Sequence, residues 1–261
     1  MLFWLIPFII GMILLAVFLF FRVKEERVKA VIIKGFVSLM FILTALVAYL
    51  TSKNTTTSFG IFILIGLFFG LLGDVFLDLK FIVLKKETLY TILGFISFAI
   101  NHLFNILGLF LNFYNKDSNI AYLLIPIGIA LLLVVVTLLM EKFSPIRYKN
   151  MKPFVIFYGL FLFFVTPIYW SAAIQSGFQN ITVIIISVSL IFFMFSDLIL
   201  NNTYFATGFN TPAFIISNHI LYYIAQFGIA ISLFFLVWNS GVPIWKNVIS
   251  LFLYALLLVS F

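Results

Sequence analysis

Residues 59–79 read FGIFILIGLFFGLLGDVFLDL. The run is long enough to cross a hydrocarbon layer, which takes about 20 mostly apolar residues in a helix. Its first ionisable residue is Asp74, and Asp78 follows four positions later. Gly66, Gly70 and Gly73 precede Asp74 on nearly the same helical face. Small residues at such spacing let helices approach closely. That face is therefore expected to point into a helix bundle, carrying Asp74 with it.

The rest of the chain repeats the pattern. Of 261 residues, 65% are hydrophobic and 9% charged, against about 45–50% and about 25% in soluble domains. Backbone groups in lipid must be satisfied internally, which leaves helices or a closed barrel. The apolar runs far exceed the roughly 10-residue alternating strands of a barrel. The expected fold is an all-α polytopic transmembrane helix bundle. Spans are expected near 3–21, 31–50, 59–79, 90–112, 119–140, 154–172, 181–200 and 213–237. The stretch 244–261 reads as a short ninth span or an interfacial helix. Loops are short and no linker appears, so 1–261 reads as one transmembrane domain with its core in 1–237. The opening MLFWLIPFIIGMILLAVFLFF has no basic leader or small-residue cleavage site and reads as a retained helix.

Charge placement orients the chain. Arg22, Lys24, Arg27, Lys29 and Lys34 cluster around the first loop. Lys80, Lys85 and Lys86 mark the third, and Lys142, Arg147, Lys149 and Lys152 the fifth. These are twelve of the 15 basic residues. The positive-inside rule makes those loops cytoplasmic and the N-terminus external, in a multi-pass protein expected in the plasma membrane. The net charge of +7 is an orientation signal, not a nucleic-acid patch. There is no cysteine, hence no disulfide and no thiol nucleophile.

Polar groups inside spans are costly and are functional candidates. The fourth span carries Asn101, His102 and Asn105; the seventh ends in Ser196-Asp197; the eighth carries Asn218, His219, Tyr222, Tyr223 and Gln226. Asp74, Asp197, Asn218 and Tyr222 are expected in the cytoplasmic half, with His102 and Gln226 one or two turns deeper. One cavity open to the cytoplasm accounts for that distribution. Asp78 reads as the more exposed aspartate, close to a solvated helix end, and His219 also reads as an interfacial residue. LLGDVFL in the third span resembles MFSDLIL in the seventh, and a competing register pairs Asn101-His102 with Asn218-His219. A four-helix duplication would set Asp74 and Asp197 across a pseudo-twofold axis along the membrane normal.

These residues resemble the YhhN-like family of membrane proteins, which includes the lysoplasmalogenases. The resemblance runs from about Lys34 to about Gln226. It rests on Gly73-Asp74, on Gly94, Phe98 and His102 at four-residue steps, on Ser196-Asp197, and on Tyr222-Tyr223 with Gln226. Lys34, opening the second span, fits as well. The chain departs from the family at Asn105, where a tyrosine is usual, and in continuing through 244–261. The resemblance implies hydrolysis of the vinyl ether bond of lysoplasmalogens, releasing a fatty aldehyde and a glycerophospho-base.

The residues suit that chemistry. A vinyl ether is cleaved by protonating its β-carbon and trapping the resulting oxocarbenium ion with water. The reaction needs a carboxylic acid and a carboxylate, and two nearby carboxyls in a dry site diverge in just that way. Asp74 and Asp197 are the expected catalytic residues. Lys34, Asp78, His102, Asn105, Ser196, Asn218, Tyr222, Tyr223 and Gln226 are the expected substrate-binding residues, with Lys34 on the phosphate. No metal and no cofactor is expected, and the expected partners are a membrane lysolipid and the bilayer. Two alternatives use the same residues: a proton-coupled transporter, and a metal hydrolase ligated by His102, His219 and the aspartates.

Overall fold

The computed structural model describes residues 2–52, 58–115 and 117–238. Eight helices there are long and apolar enough to cross a membrane. They are α1 (Leu5–Val23), α2 (Arg27–Thr51), α3 (Phe59–Leu79), α4 (Glu87–Asn112), α5 (Ala121–Phe143), α6 (Lys152–Gln175), α7 (Ile181–Phe205) and α8 (Pro212–Ser232), the last continued as a 3-10 turn over Leu233–Trp238. Among the described residues there is no strand. The stretch 244–261 lies outside them.

The eight expected spans are all present, but several helices outrun their apolar stretch. α2 begins at Arg27 rather than 31, and α7 runs to Phe205 rather than 200. Hydropathy marks where a chain leaves hydrocarbon, whereas a helix ends where its backbone bonding ends. Basic side chains at a span's end carry their charge to the interface on long apolar stems, so they need not break the helix. α7 starts where Asn180 accepts a bond from the Val183 amide at 3.1 Å. α8 starts at Pro212, where a missing N–H costs nothing.

Successive helices pack together within α1–α4 and again within α5–α8. The halves meet where α2 lies against α8 and α4 against α6. Exchanging the two halves turns the first of these contacts into the second. The halves differ at their edges. α1 closes on α8 through Phe8 against Phe227, ring centres 5.4 Å apart, while α4 and α5 leave a lipid-side groove of about 420 Å3.

The three basic loops lie at one end of this bundle. Arg27 Nη1 donates to the Phe81 carbonyl at 3.3 Å, joining the first loop to the third. The Arg147 amide donates to the Phe205 carbonyl at 2.7 Å, which sets the fifth loop beside the end of α7. We refer to this as the basic end.

Candidate functional site

The glycine face of α3 does what its spacing predicts. At Gly70, an added Cβ would stand 2.8 Å from Gln226 Nε2 and 3.3 Å from Asn101 Nδ2. At Gly66 it would meet Asn101 and Asn105. The absent side chains let α4 and α8 bring amides against the α3 backbone, and Asp74 is carried inward. Asp74 is 2% exposed.

Asp74 is surrounded by donors from two other helices. Lys34 and Ser38, one turn apart on α2, reach it together: Lys34 Nζ lies 3.3 Å from Oδ1, and Ser38 Oγ donates to Oδ2 at 2.6 Å. From α8 the Tyr222 hydroxyl donates to Oδ2 at 2.7 Å, and Gln226 Nε2 donates to the same hydroxyl at 2.8 Å. Lys34 Nζ also lies 3.1 Å from Asp78 Oδ1. Asp78 is thus as buried as Asp74, at 2%, and not a solvated helix end. The helix continues to Leu79, and Lys34 draws the carboxylate inward.

Asp197, on α7, has a different environment. The Tyr158 hydroxyl of α6 donates to its Oδ2. Among the described residues no cation forms an ion pair with it. Asp197 and Asp74 line the same cavity of about 210 Å3, which opens toward the basic end past Lys80, Thr203 and Asn210. Asp197 also lines a second, apolar space of about 50 Å3, walled by Phe95, Thr137, Gly159, Leu162, Phe163 and Phe205. Leu200 and Tyr204 border both. The carboxyl therefore sits on the seam between a polar chamber and an apolar slot.

The other expected residues divide into two groups. Ser196 and Asn218 line the cavity and clamp α7 to α8, with Asn218 Nδ2 donating to Ser196 O at 2.7 Å and Ser196 Oγ to Asn218 O at 3.1 Å. Tyr222 lines it too. Tyr223, Gln226, His102 and Asn105 lie behind its wall. The Tyr223 hydroxyl is 3.2 Å from Ser38 Oγ. His102 Nε2 is 3.5 Å from the Tyr158 hydroxyl, and its ring meets Phe193 edge-on at 4.8 Å. Asn105 Nδ2 bonds the Asn101 carbonyl at 2.9 Å. His219 lines the cavity, is buried, and its Nδ1 donates to Ile215 O at 2.7 Å. Among the described residues no three His, Asp or Glu side chains converge as a metal site would require.

Four neighbours of the site were not expected there: Ser38 and Tyr158, and Arg22 and Lys80, which read in the sequence only as orientation charges. Ser38 has a signal, standing one turn from Lys34 in an otherwise apolar stretch, residues 30–43. Tyr158 has none, since tyrosine is ordinary near a membrane interface. Lys80 follows α3 and is 5% exposed, its ammonium 3.0 Å from the centre of the Tyr204 ring. Burial is the main cause that pushes this ammonium down to about 7.

Compared with known families, residues 29–233 match the model of the YhhN family. No curated protein and no solved structure matches the chain.

Proposed function

We propose a function from the premise that the chain, matched over most of its length, belongs to the YhhN family: it is a membrane-embedded hydrolase that cleaves the vinyl ether bond of lysoplasmalogens with choline or ethanolamine heads. The observation that carries this reading is the position of Asp197 between a polar cavity and an apolar slot. A single-chain lipid has the matching division, with its alkenyl bond at the junction of head and tail. Such a substrate sets the first carbons of its tail at the slot, its glycerophosphate in the cavity, and its vinyl ether at Asp197.

The carboxyls take their roles from their neighbours. Asp74 is matched by one ammonium and two hydroxyl donors, the surroundings of a carboxylate. Asp197 has a phenol and, among the described residues, no ion-pairing cation, and serves as the acid. It gives its proton to the β-carbon of the alkenyl group, and the positive charge settles on the adjacent carbon and ether oxygen. Water arriving from the open end of the cavity adds to that carbon and loses a proton to a carboxylate. The hemiacetal then collapses, breaking the bond to the glycerol oxygen. The products are a fatty aldehyde and a free glycerol hydroxyl, and the net change is the addition of one water. Tyr158 and Tyr222 position the two carboxyls. The cavity is cytoplasmic in this reading.

A second reading, a proton-coupled transporter, draws on a different observation. Buried amides continue beyond the cavity through Gln226 and Asn101 to Asn105, which stands about 27 Å along α4 from its first residue. A polar trail past the midplane is a feature of transport paths. Purified protein is to be assayed for aldehyde release from a lysoplasmalogen in detergent, and for proton-driven uptake in liposomes. Aldehyde release without flux supports the hydrolase. Flux without aldehyde release replaces it with the transporter.

A further inference from the structure

Lys34 was expected to hold the substrate's phosphate, yet its ammonium is already engaged by two carboxylates at 3.3 and 3.1 Å. Two other cations line the same cavity, nearer its opening: Arg22, in the last turn of α1, and Lys80, just after α3. Among the described residues neither forms an ion pair. Among the described residues, Arg22 Nε is buried with no hydrogen-bond partner. Lys80 rests its ammonium on the Tyr204 ring. Both approach one side chain, with the Arg22 guanidinium carbon 3.9 Å and the Lys80 Nζ 5.0 Å from the centre of the Phe81 ring.

This arrangement of cations is costly in itself. Two like charges share one aromatic ring in a half-enclosed site, where their repulsion is poorly screened. The nearest acidic groups relieve it only in part, because neither forms an ion pair with Arg22 or Lys80 among the described residues. Asp78 is bound to Lys34, and Glu87 is exposed at the mouth. Ring faces partly satisfy a cation but accept no strong hydrogen bond. An anion with several oxygens would accept from both. Guanidinium and ammonium together are a suitable pair for phosphate, one giving directed donors and the other a compact charge.

The geometry points to an anion site formed by Arg22 and Lys80 at the mouth of the cavity, and its occupant is the phosphodiester of a lysophospholipid head. This deepens the proposed function and rests on it only for the choice of lipid. The site gives the substrate polarity: phosphate at the basic end, reacting bond at Asp197, first carbons of the tail at the apolar slot. Arg22 precedes the residues matched by the family model, so the site joins the family core to the first helix.

Binding, without turnover, tests it. The full chain in detergent is titrated with an ester-linked lysophosphatidylcholine, which has no vinyl ether to cleave, with a monoacylglycerol of the same chain, and with inorganic phosphate. Arg22→Gln and Lys80→Gln should each weaken the lysophospholipid by about tenfold or more, the scale of a hydrogen bond to a charged group. The monoacylglycerol should bind wild type and variants alike. Arg22→Lys and Lys80→Arg, which keep the charge, should recover most of the affinity and act as folding controls. Inorganic phosphate bound as tightly as the lysophospholipid, and lost in the same variants, would keep the anion site but overturn its assignment to a lipid head. Unchanged lysophospholipid binding in both Gln variants, or equal loss of the monoacylglycerol, would overturn the site itself. Failure to hydrolyse a lysoplasmalogen leaves these measurements intact, so the two readings fail separately.

Discussion

Lys34 Nζ lies 3.3 Å from Asp74 Oδ1, and nothing of the kind stands beside Asp197 among the described residues. α2 supplies the cation, whereas α6, packed on α7 as α2 is on α3, supplies the hydroxyl of Tyr158. The two halves thus bring similar carboxyls to one cavity in dissimilar company, and the contrast underlies the division of labour proposed for them.

Asp74→Asn and Asp197→Asn keep side-chain shape and remove the proton chemistry. Each is expected to lower aldehyde release by about 10²-fold or more, the usual scale for a general acid or base. The double variant should be little worse than either single one, because groups acting as a unit are not additive. Near-normal turnover in both single variants, with monodisperse elution, would make the pair structural.

Lys34 is a stability determinant as well. Lys34→Met leaves Asp74 and Asp78 buried without their shared cation, and loss of one member of a buried ion pair costs about 3–5 kcal/mol. The melting temperature in detergent should fall clearly. Adding Asp78→Asn to Lys34→Met removes one stranded charge and should restore part of the loss. A double variant no more stable than Lys34→Met would show that Asp78 is not stabilised by the lysine.

Gly70→Ala tests the close approach on α3. The new methyl would stand 2.8 Å from Gln226 Nε2, so Gln226 must move and its bond to Tyr222 is strained or lost. Tyr222 in turn donates to Asp74. Turnover is expected to fall several-fold, on the scale of a neutral hydrogen bond of about 0.5–1.5 kcal/mol, with a smaller change in melting temperature. Gly128→Ala is the control, since nothing lies within 4 Å of an added Cβ there.

Headgroup affinity is expected to depend on pH through Lys80. Burial is the main cause that pushes its ammonium down to about 7. The groups around it are Asp78 and Glu87, which favour the charge, Arg22 and Lys34, which oppose it, and the Tyr204 ring. An anion is held by the charged form. Affinity for a lysophospholipid should therefore be full below pH 7 and fall as pH rises through 7, by up to about tenfold per unit. The phosphodiester keeps a single charge over that range, and Lys80→Arg should flatten the profile. A slope that persists in Lys80→Arg would assign the titration elsewhere.

The orientation is open to direct labelling, because the chain has no cysteine. Single cysteines at Glu25, Val83 and Arg147 should resist an impermeant thiol reagent in intact cells and react after the membrane is opened. Labelling of the Arg147 position from outside would invert the topology and the side on which the cavity opens.

The eight spans were legible in the sequence because each is a local property, a run of about 20 apolar residues bounded by charge or turn signals. The glycine face of α3 was legible for the same reason, since residues 66, 70 and 73 fall on one side of any helix. So were Asp74 and Asp197, as isolated carboxyls in apolar segments. The company they keep was not. Lys34 and Asp78 are 44 residues apart, and Tyr158 and Asp197 are 39 apart. Whether such pairs meet depends on how each helix is rotated and tilted against its neighbours. Asp78 was therefore expected near solvent and is buried. Lys34 was expected on the phosphate and lies between two carboxylates. Helix periodicity sets the face a side chain occupies, and only the packing of one helix on another sets what that face touches.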